Sequence, residues 1–510
     1  MESQLYILCA ALVLIAILLL YHGYVSPKHA LPLPPGPPRL PIIGNAHQVP
    51  FDFQEETFAR WARRYGDVLY LRILQKEIIV LNSLRAARDL LEKRGFIYSD
   101  RPRFVMFCEL VYSFHPNFSL MPYGDRWRRH RKWYQGSLQA RVSLNAFQPV
   151  QEREAKIFLQ SMLKTPKEFV AHINRYAGAV LLEIGYGYLD DEYVDMAEKV
   201  STGVFETGGA GSTIVDFFPI LKYLPTWMPG AGFKRNALKI QAMGEHARTI
   251  AFSKVKEDMA AGIAKPSFVR NILEEIAEPT EEDEFELKGA AALLYGAGTD
   301  TTVTTMTAFV LAMVCNPEVF AKAQAEMDAV IGNTRLPNHD DRALLPYLES
   351  VLKEVYRWSA AVPLSLPHRL MEDDEYRGYR MPGGAMVVPN IWAMTRDEEM
   401  FPDPESFRPE RFEKLRGDNN DPVDPRMIIF GFGRRICPGR FLADASVWLA
   451  FASMVATLNI RRAHDSSGKE IMPPADFVSG TVKHPKPFKC DIRPRTKHAA
   501  DLILAEARSA

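Results

Sequence analysis

Cysteine is scarce in this 510-residue chain, and the five cysteines lie far apart. They are Cys9, Cys108, Cys315, Cys437 and Cys490, and no two of them form a Cys-x-x-Cys pair. This spacing excludes a disulfide framework and a zinc finger. The bulk of the chain is therefore expected to be reduced and cytosolic.

An excess of either charge is also absent, because 62 Lys and Arg balance 62 Asp and Glu. A neutral chain has no general attraction to nucleic acid, so nucleic acid is not an expected partner. No linker divides the sequence, although its length alone would allow about three domains. With 47% apolar residues the chain can bury one large core.

Charged side chains are missing between Glu2 and Lys28, and residues 5–21 form a nearly unbroken apolar run. As a helix this run would span roughly 26 Å, close to the ~30 Å core of a bilayer. A cleaved signal peptide is the alternative, but Glu2 makes the leading region acidic and no small-x-small site follows. Positive charge begins at Lys28 and Arg39, which puts the rest of the chain in the cytosol.

These features divide the chain into three parts. Residues 1–27 are predicted as a membrane anchor, residues 28–45 as a stiff proline-rich hinge, and residues 46–510 as one catalytic domain. The aromatic, proline-broken stretch 217–230 is predicted to be buried or to face the membrane.

One short segment carries unusual chemistry, the run FGFGRRICPG at residues 430–439. Its glycines and proline rule out a regular helix or strand, so it is predicted to be a tight loop that presents Cys437. Residues 440–458 are predicted to form a buried helix directly after it. The free N–H groups and dipole at the start of that helix would lower the thiol pKa. Cys437 is then a metal ligand or a nucleophile, with a buried structural cysteine as the alternative.

Residues 287–315 are predicted to form one long helix that ends at Asn316 and Pro317. It would span roughly 44 Å and, being apolar nearly all round, should be buried. Its centre, GAGTDTT at 296–302, is a poor helix former, which predicts a local opening there. A close helix contact allowed by glycine, with Asp300 as a cap, is the alternative. The acidic residues 278–286 are predicted to be a solvated linker that ends as the first helical turn.

The β structure is predicted to be small. Strands are expected at 68–74 and 77–81, and a hairpin at 377–390 around Pro382, Gly383 and Gly384. Residues 104–118 are expected to be an apolar loop, and residues 477–481 a turn at the floor of a pocket.

Several motifs together resemble the cytochrome P450 family. Cys437 lies in that family's haem-loop spacing, and Gly298 to Thr302 match its oxygen motif. Glu354 and Arg357 match its Glu-x-x-Arg pair. The resemblance covers nearly the whole chain and implies a mainly α fold with a small β portion, preceded by one transmembrane helix.

The resemblance also implies a role for each matching residue. Cys437 would be the axial thiolate of haem b (iron protoporphyrin IX), with Phe430 and Gly439 in the same loop. Haem propionates would meet Trp127, Arg131, Arg435 and His368, with Arg369 as the rival of His368. Glu354, Arg357 and Arg411 would form a buried scaffold. Residues predicted to line the substrate pocket are Phe104, Phe107, Tyr295, Ala297, Val362 and Val478.

The implied reaction is monooxygenation with O2 as co-substrate. Thr301 would be the hydroxyl beside the oxygen, Asp300 the acid that relays protons, and Gly298 the residue that lets oxygen approach. Electrons would come from NADPH through NADPH–cytochrome P450 reductase, with cytochrome b5 as a further partner. The cations predicted to dock that donor are Arg126, Arg128, Arg129 and Lys132; a plain solvated basic helix is the alternative.

The resemblance is greatest to fungal microsomal members that oxidise secondary metabolites. It implies a single-pass protein of the endoplasmic reticulum membrane, with stretch 217–230 as a second membrane contact. A small apolar substrate, such as a terpenoid or an aromatic, is expected. The alternatives are a haem enzyme that uses or rearranges peroxides without a reductase, and a non-catalytic haem carrier or sensor.

Overall fold

The computed structural model describes residues 31–113, 116–188, 191–208, 213–413 and 422–508. The predicted anchor, residues 1–27, lies outside these ranges. The predicted mainly α fold with a small β portion is confirmed. The helices of the described residues are α1 Gln54–Tyr65, α2 Leu84–Ala87, α3 Gly95–Tyr98, α4 Asp125–Leu138, α5 Arg141–Lys164, α6 Phe169–Tyr186, α7 Asp191–Glu206, α8 Ile214–Phe217, α9 Gly232–Ala260, α10 Phe268–Glu275, α11 Glu281–Cys315, α12 Pro317–Val330, α13 Pro346–Ser359, α14 Ile391–Met394, α15 Arg426–Ile429, α16 Arg440–Thr457 and α17 Lys497–Arg508.

The strands form three small sheets. They are β1 Val68–Ile73, β2 Lys76–Leu81, β3 His368–Arg369, β4 Asp374–Tyr376, β5 Tyr379–Met381, β6 Met386–Pro389, β7 Leu458–His464, β8 Glu470–Ile471 and β9 Cys490–Pro494. One sheet has the order β1-β2-β6-β3, one pairs β4 with β5, and one has the order β8-β7-β9. In the first sheet β2 and β6 run parallel and the other pairs are antiparallel.

The predicted hairpin at 377–390 is wrong in its position. The two-residue turn is Arg377 and Gly378, which both have positive φ, and it joins β4 to β5. Such a turn matches the twist of paired strands. Gly384, also at positive φ, instead leads the chain into β6, which pairs with other strands.

The long helix α11 begins earlier than predicted, at Glu281. Thr280 and Asp283 form a capping box, in which each side chain accepts the other residue's backbone N–H. This box stabilises the helix start, so residues 281–286 belong to the helix rather than to a linker. The helix is continuous across residues 296–302, and the predicted opening is not seen there.

The core of the domain surrounds the second half of α11. Residues 302–314 of this helix are all buried, and Phe309 stacks on Phe451 of α16 with ring centroids 3.9 Å apart. Near the middle of α11, a Cβ on Gly298 would lie 2.7 Å from Leu181 of α6. Glycine therefore allows a close approach of α6 and α11, as the packing alternative expected.

Residues 105–111, which were predicted to be a loop, form a short π-helix, Val105–Val111. The proline-rich segment before α1 is extended and lies against the sheets. The backbone N–H of Tyr70 donates to the carbonyl of Pro35, and that of Arg380 donates to the carbonyl of Pro32.

Among the described residues no single helix has the length and apolar content to cross a bilayer. The bent pair of α11 and α12, with an angle of 105° between the two helices, meets both criteria when taken together.

A buried carboxylate ties α13 to the irregular segment that follows β6. Glu354 accepts from Arg357 at 2.7 and 2.8 Å and from Arg411 at 3.1 and 3.2 Å. Arg357 also donates to the carbonyls of Pro404 and Ser406. Glu354 and Arg357 are fully buried, so each charge depends on the other for solvation.

We expect Glu354→Ala to destabilise the fold by ~3–5 kcal/mol, because it leaves two guanidinium groups without their carboxylate. Chemical denaturation followed by tryptophan fluorescence measures this loss. Cells that express the variant should also accumulate little or no haem-loaded protein. Glu372→Ala, at an exposed position, is the control and should change neither. Spectrally normal, equally stable Glu354→Ala protein would contradict this account.

Candidate active site

Cys437 lies in a tight loop between a 3₁₀ turn, Gly433–Arg435, and the start of α16. Gly431 and Gly433 both have positive φ. A Cβ on Gly433 would collide with the carbonyl oxygen of Leu91, so only glycine fits there. The Cys437 N–H donates to the carbonyl of Phe430 at 2.8 Å, which closes the loop. The loop is therefore fixed by its own backbone and by the segment around Leu91.

The environment of the thiol differs from the sequence prediction. Burial raises the pKa of Cys437, and the N–H of Gly439 and the charges of Arg131 and Arg440 lower it by less. The predicted fall in pKa is wrong for the protein alone, because desolvation outweighs the helix start. A cation bound at the sulfur would supply the missing stabilisation, which suits a metal ligand better than a free nucleophile.

A cavity with an empty volume of about 1750 Å³ separates this loop from α11. One wall is the loop, including Phe430, Cys437 and Gly439, and the opposite wall includes Ala297, Gly298 and Thr301 of α11. The cavity thus lies between the predicted ligand and the predicted oxygen motif, and we call it the Cys437 cavity.

Three cationic or cation-forming side chains line this cavity, namely Arg101, His368 and Arg435. Arg101 donates to the carbonyls of Leu366 and Pro367 at 2.7 Å. Among the described residues none of the three forms an ion pair with a carboxylate. Burial lowers the pKa of Arg435 to about 9, and burial followed by the charge of Arg101 lowers that of His368. An anionic group in the cavity would stabilise all three.

Trp127 and Arg131 of α4 lie beside this cluster. The indole N–H of Trp127 is buried and has no acceptor, and Arg435 sits over the indole ring at 4.8 Å. Arg131 donates to the carbonyl of Ile436 at 2.7 Å, one residue before Cys437. A buried donor without an acceptor, beside cations that form no ion pair among the described residues, fits a carboxylate-bearing ligand such as haem with its propionates.

His368 and Arg369 face different surroundings. His368 is buried, lines the cavity, and its Nδ1 donates to the carbonyl of Tyr98 at 2.8 Å. Arg369 pairs with Asp100 at 3.1 Å and is not among the residues that line the cavity. The geometry therefore favours His368 of the two candidates.

The oxygen motif contains an arrangement that the sequence did not indicate. Asp300 pairs through Oδ1 with Nε2 of His484 at 3.2 Å, and Nδ1 of His484 lies 2.8 Å from the hydroxyl of Thr304. The other carboxylate oxygen of Asp300 is buried without a partner. Thr301 donates its hydroxyl to the carbonyl of Ala297 at 3.0 Å. His484 thus orients Asp300, although it lies far away in sequence.

A second cavity continues from the first along α11, and the two share Ser119, Leu293, Ala297, Thr301, Val362 and Leu366. Of the predicted substrate-lining residues, Phe107, Tyr295, Ala297 and Val362 line this second cavity. Phe104 is fully buried against Phe107, one layer behind. We call this second cavity the substrate chamber.

Val478 does not line the substrate chamber, which corrects the sequence prediction. Its side chain is 47% exposed, because the turn directs Thr481 and Val482 to the chamber instead. The backbone N–H of Val478 donates to the carbonyl of His484 at 2.7 Å. The predicted turn at the floor is present, but the contact falls a few residues later.

The four predicted docking cations separate into two pairs. Arg126 binds Glu286 of α11 at 2.7 Å, and Arg129 binds Asp283 at 3.0 Å. These two cations tie α4 to α11. Arg128 and Lys132 are exposed. Arg128 forms an ion pair with the exposed Asp125 of its own helix and lies 5.1 Å from the centre of the Tyr123 ring.

Comparison with known proteins agrees with this arrangement. The family model "Cytochrome P450" matches residues 34–492. Cytochrome P450 monooxygenase 176 of Postia placenta is 50% identical over 478 residues, which are 92% of this chain and 92% of that protein. The tryptamine 4-monooxygenase of Psilocybe cyanescens is 40% identical over 476 residues, 91% of this chain and 93% of that protein. Cytochrome P450 monooxygenase claR of Ampulloclitocybe clavipes is 40% identical over 495 residues, 95% of this chain and 90% of that protein.

The site agrees with this match. Cys437 faces the oxygen motif across a cavity, and donors suited to haem surround that cavity. The chain therefore belongs to the cytochrome P450 family and is a cytochrome P450 monooxygenase similar to fungal members.

Proposed function

We propose that this monooxygenase oxidises a small, largely apolar fungal secondary metabolite, such as a terpenoid or an aromatic. One atom of O2 enters a C–H bond, and the other leaves as water after two electrons and two protons are added. The observation that carries the proposal is the substrate chamber. It is walled largely by apolar side chains and opens onto Ala297 and Thr301, which also face the Cys437 cavity.

Haem bound through the Cys437 thiolate supplies the activation of O2. Arg101, Arg435 and the indole N–H of Trp127 would hold its propionates. The N–H of Gly439 already donates to the sulfur and would keep it oriented. Phe430 lines the same cavity and packs against Tyr356 with ring centroids 5.7 Å apart, which fixes the ring beside the ligand loop.

Protons for the reaction come from the α11 side in this proposal. The Thr301 hydroxyl lies where both cavities meet, so it can hold a proton at the reacting end of the substrate. Asp300 lines the chamber with one carboxylate oxygen unpaired, and it can pass a proton toward Thr301. His484 fixes the other oxygen and so limits the rotation of the carboxylate.

We propose that electrons arrive from NADPH through cytochrome P450 reductase, with cytochrome b5 as a further donor. Arg128 and Lys132 are exposed on α4, whose residue Arg131 contacts the loop before Cys437. A pair of exposed cations near the ligand loop suits an acidic donor surface. Such docking should weaken as salt is raised.

We propose that the protein sits on the endoplasmic reticulum membrane by residues 1–27, with its catalytic domain in the cytosol. A second contact is supported by the exposed apolar side chains Ile220, Tyr223 and Trp227. Lys76, next to the β1–β2 turn, lies 4.5 Å from the Phe217 ring, and Ile42 is exposed close to the same turn. The stretch 217–230 thus presents exposed apolar side chains and contacts the β1–β2 region, where Ile42 is also exposed.

Incubation with NADPH, the reductase and isotopically labelled O2 tests the proposed reaction. Candidate terpenoids and aromatics are chosen by their substrate-induced Soret shift. One labelled oxygen atom in the product, only when NADPH, reductase and O2 are all present, is the expected result. Equal product from peroxide alone would favour the reductase-independent alternative, and no product from any spectrally active candidate would favour a carrier or sensor.

Membrane attachment is tested by fractionation of cells at alkaline pH. The full chain should remain in the membrane pellet. A chain without residues 1–27 should bind membranes weakly, and Ile220→Ser with Trp227→Ser in that chain should release it further. Val142→Ser with Val330→Ser removes exposed apolar side chains elsewhere and should have no effect. A full chain found in the soluble fraction would overturn the anchor.

Thr301→Ala should keep haem binding and NADPH consumption but divert electrons to hydrogen peroxide. We expect product per NADPH to fall several-fold, because a positioned proton donor typically contributes 10²–10⁴-fold. Thr301→Ser keeps the hydroxyl and should stay close to the wild-type ratio. If Thr301→Ala retains the wild-type ratio, Thr301 is not in the proton path.

His484→Ala should also raise the peroxide share, because Asp300 loses the partner that fixes its carboxylate. The solvent isotope effect on turnover should change with it, which a loss of stability alone would not cause. His484→Gln can still donate to Asp300 and should recover part of the coupling. Lys486→Ala, an exposed residue of the same segment, is the control. Unchanged coupling and isotope effect in His484→Ala would refute this positioning role.

A further inference from the structure

The substrate chamber has two chemically different ends. At one end, Ala297 and Thr301 border the Cys437 cavity. At the other end lie Arg248 of α9, Tyr193 of α7 and Tyr112, none of which lines the Cys437 cavity. We propose that Arg248 binds a carboxylate of the substrate, so that an apolar body is held toward Thr301. This proposal rests on the proposed monooxygenase reaction and narrows its substrate to an amphipathic acid.

Arg248 is buried, and not every N–H group of its guanidinium has a hydrogen-bond acceptor. Its side chain is only 8% exposed, and its Nε is buried with no acceptor. Nη2 pairs with Glu245 at 3.0 Å, one turn earlier on the same helix, but the Glu245 side chain is 46% exposed. Water screens such a pair, so it compensates the buried guanidinium weakly. The Nε–H of Arg248 still needs an acceptor.

The backbone around Arg248 leaves room for the guanidinium. Gly244 lines the chamber, and a Cβ there would lie 3.3 Å from Nη1 of Arg248 and 3.6 Å from Val200 of α7. A side chain at position 244, one turn before Arg248 on α9, would press on the guanidinium. Glycine on this turn therefore leaves room for the charged group.

Two phenols add donors at the same end. Burial raises the pKa of Tyr112 and of Tyr193 to about 12, and the charge of Arg248 lowers both by less. Both phenols therefore stay protonated at neutral pH. The side chain of Asn117 is hydrogen-bonded to the Tyr112 phenol.

This set of groups selects a carboxylate over a neutral head group. The guanidinium offers donors only, and its bonds to an anion are charge-assisted and roughly twice as strong as neutral ones. The only acidic side chain among the described lining residues is Asp300, which is paired with His484. The chamber between the ends is walled by apolar groups, including Leu120, Ala197, Val204 and Leu293. An acid with a hydrocarbon, terpenoid or aromatic body matches both parts.

The test measures binding by the Soret shift of the haem-loaded enzyme. The probes are phenylbutanoic, phenylhexanoic and phenyloctanoic acids, each with its primary amide and methyl ester. At neutral pH the best acid should bind about tenfold or more tightly than its amide, a difference of about 1.4 kcal/mol. In Arg248→Met that preference should disappear, with the affinity for the amide changed less than about twofold. Arg248→Lys should keep part of it.

Lys239→Met, which removes an exposed charge from the same helix, should leave the preference intact. A wild-type titration over pH provides a second measurement that needs no variant. Affinity for the acid should fall as pH drops through the carboxyl pKa of the probe, while affinity for the amide stays level. Equal affinity for acid and amide in the wild type, or a preference that survives in Arg248→Met, would overturn the proposal. Labelled-oxygen turnover of neutral probes reports separately on the proposed reaction.

Discussion

The site depends on a buried carboxylate that two guanidinium groups share. Glu354 holds Arg357 of its own helix and Arg411 of the segment before the ligand loop. The neighbouring side chain on α13, Tyr356, contacts Phe430 at the start of that loop. One helix therefore anchors the segment leading to the loop and also touches the loop itself. Loss of the carboxylate would leave charges in a dry core and would release the chain on which Cys437 is carried.

A second constraint is electrostatic and concerns the Cys437 cavity. Burial disfavours the ionised forms of Arg101, Arg435 and Cys437, and the charge of Asp100 offsets this only in part for the two guanidinium groups. A ligand with a central cation and peripheral carboxylates would stabilise both the buried thiolate and the buried guanidinium groups. Haem has this combination, and Trp127 offers it a further buried N–H. The charges of the protein are therefore complementary to the cofactor rather than to each other.

The sequence predicted those parts of the site that are encoded by short, local spacing. Cys437 within its glycine-rich loop, Glu354 three residues before Arg357, and Thr301 in the long helix could all be found in this way. His484, Arg101 and Arg248 could not, because each reaches the site from a distant segment and none belongs to a local pattern. The pKa of Cys437 was predicted with the wrong sign, since a helix start can be read from sequence whereas the depth of burial cannot.

The errors in the fold have similar causes. Both Arg377-Gly378 and the Pro-Gly-Gly sequence that follows could form the turn of the hairpin. The pairing of β4 with β5 shows that Arg377-Gly378 forms it. Val478 was placed at the chamber although Thr481 and Val482 occupy that position, because the path of a turn depends on its hydrogen bonds. Residues 278–286 were predicted to be a linker that ends as the first helical turn, whereas the helix already begins at Glu281. Thr280 and Asp283 carry a capping signature that could have been recognised.

The central claim is that the Cys437 sulfur binds haem iron, and carbon monoxide tests it most directly. Purified full-length protein is reduced with dithionite and exposed to carbon monoxide, and the difference spectrum is recorded. The account predicts the strongly red-shifted Soret band that a thiolate ligand produces, and its loss in Cys437→His with haem retained. An unshifted band in the folded wild-type protein, or a shifted band that persists in Cys437→His, would contradict the account.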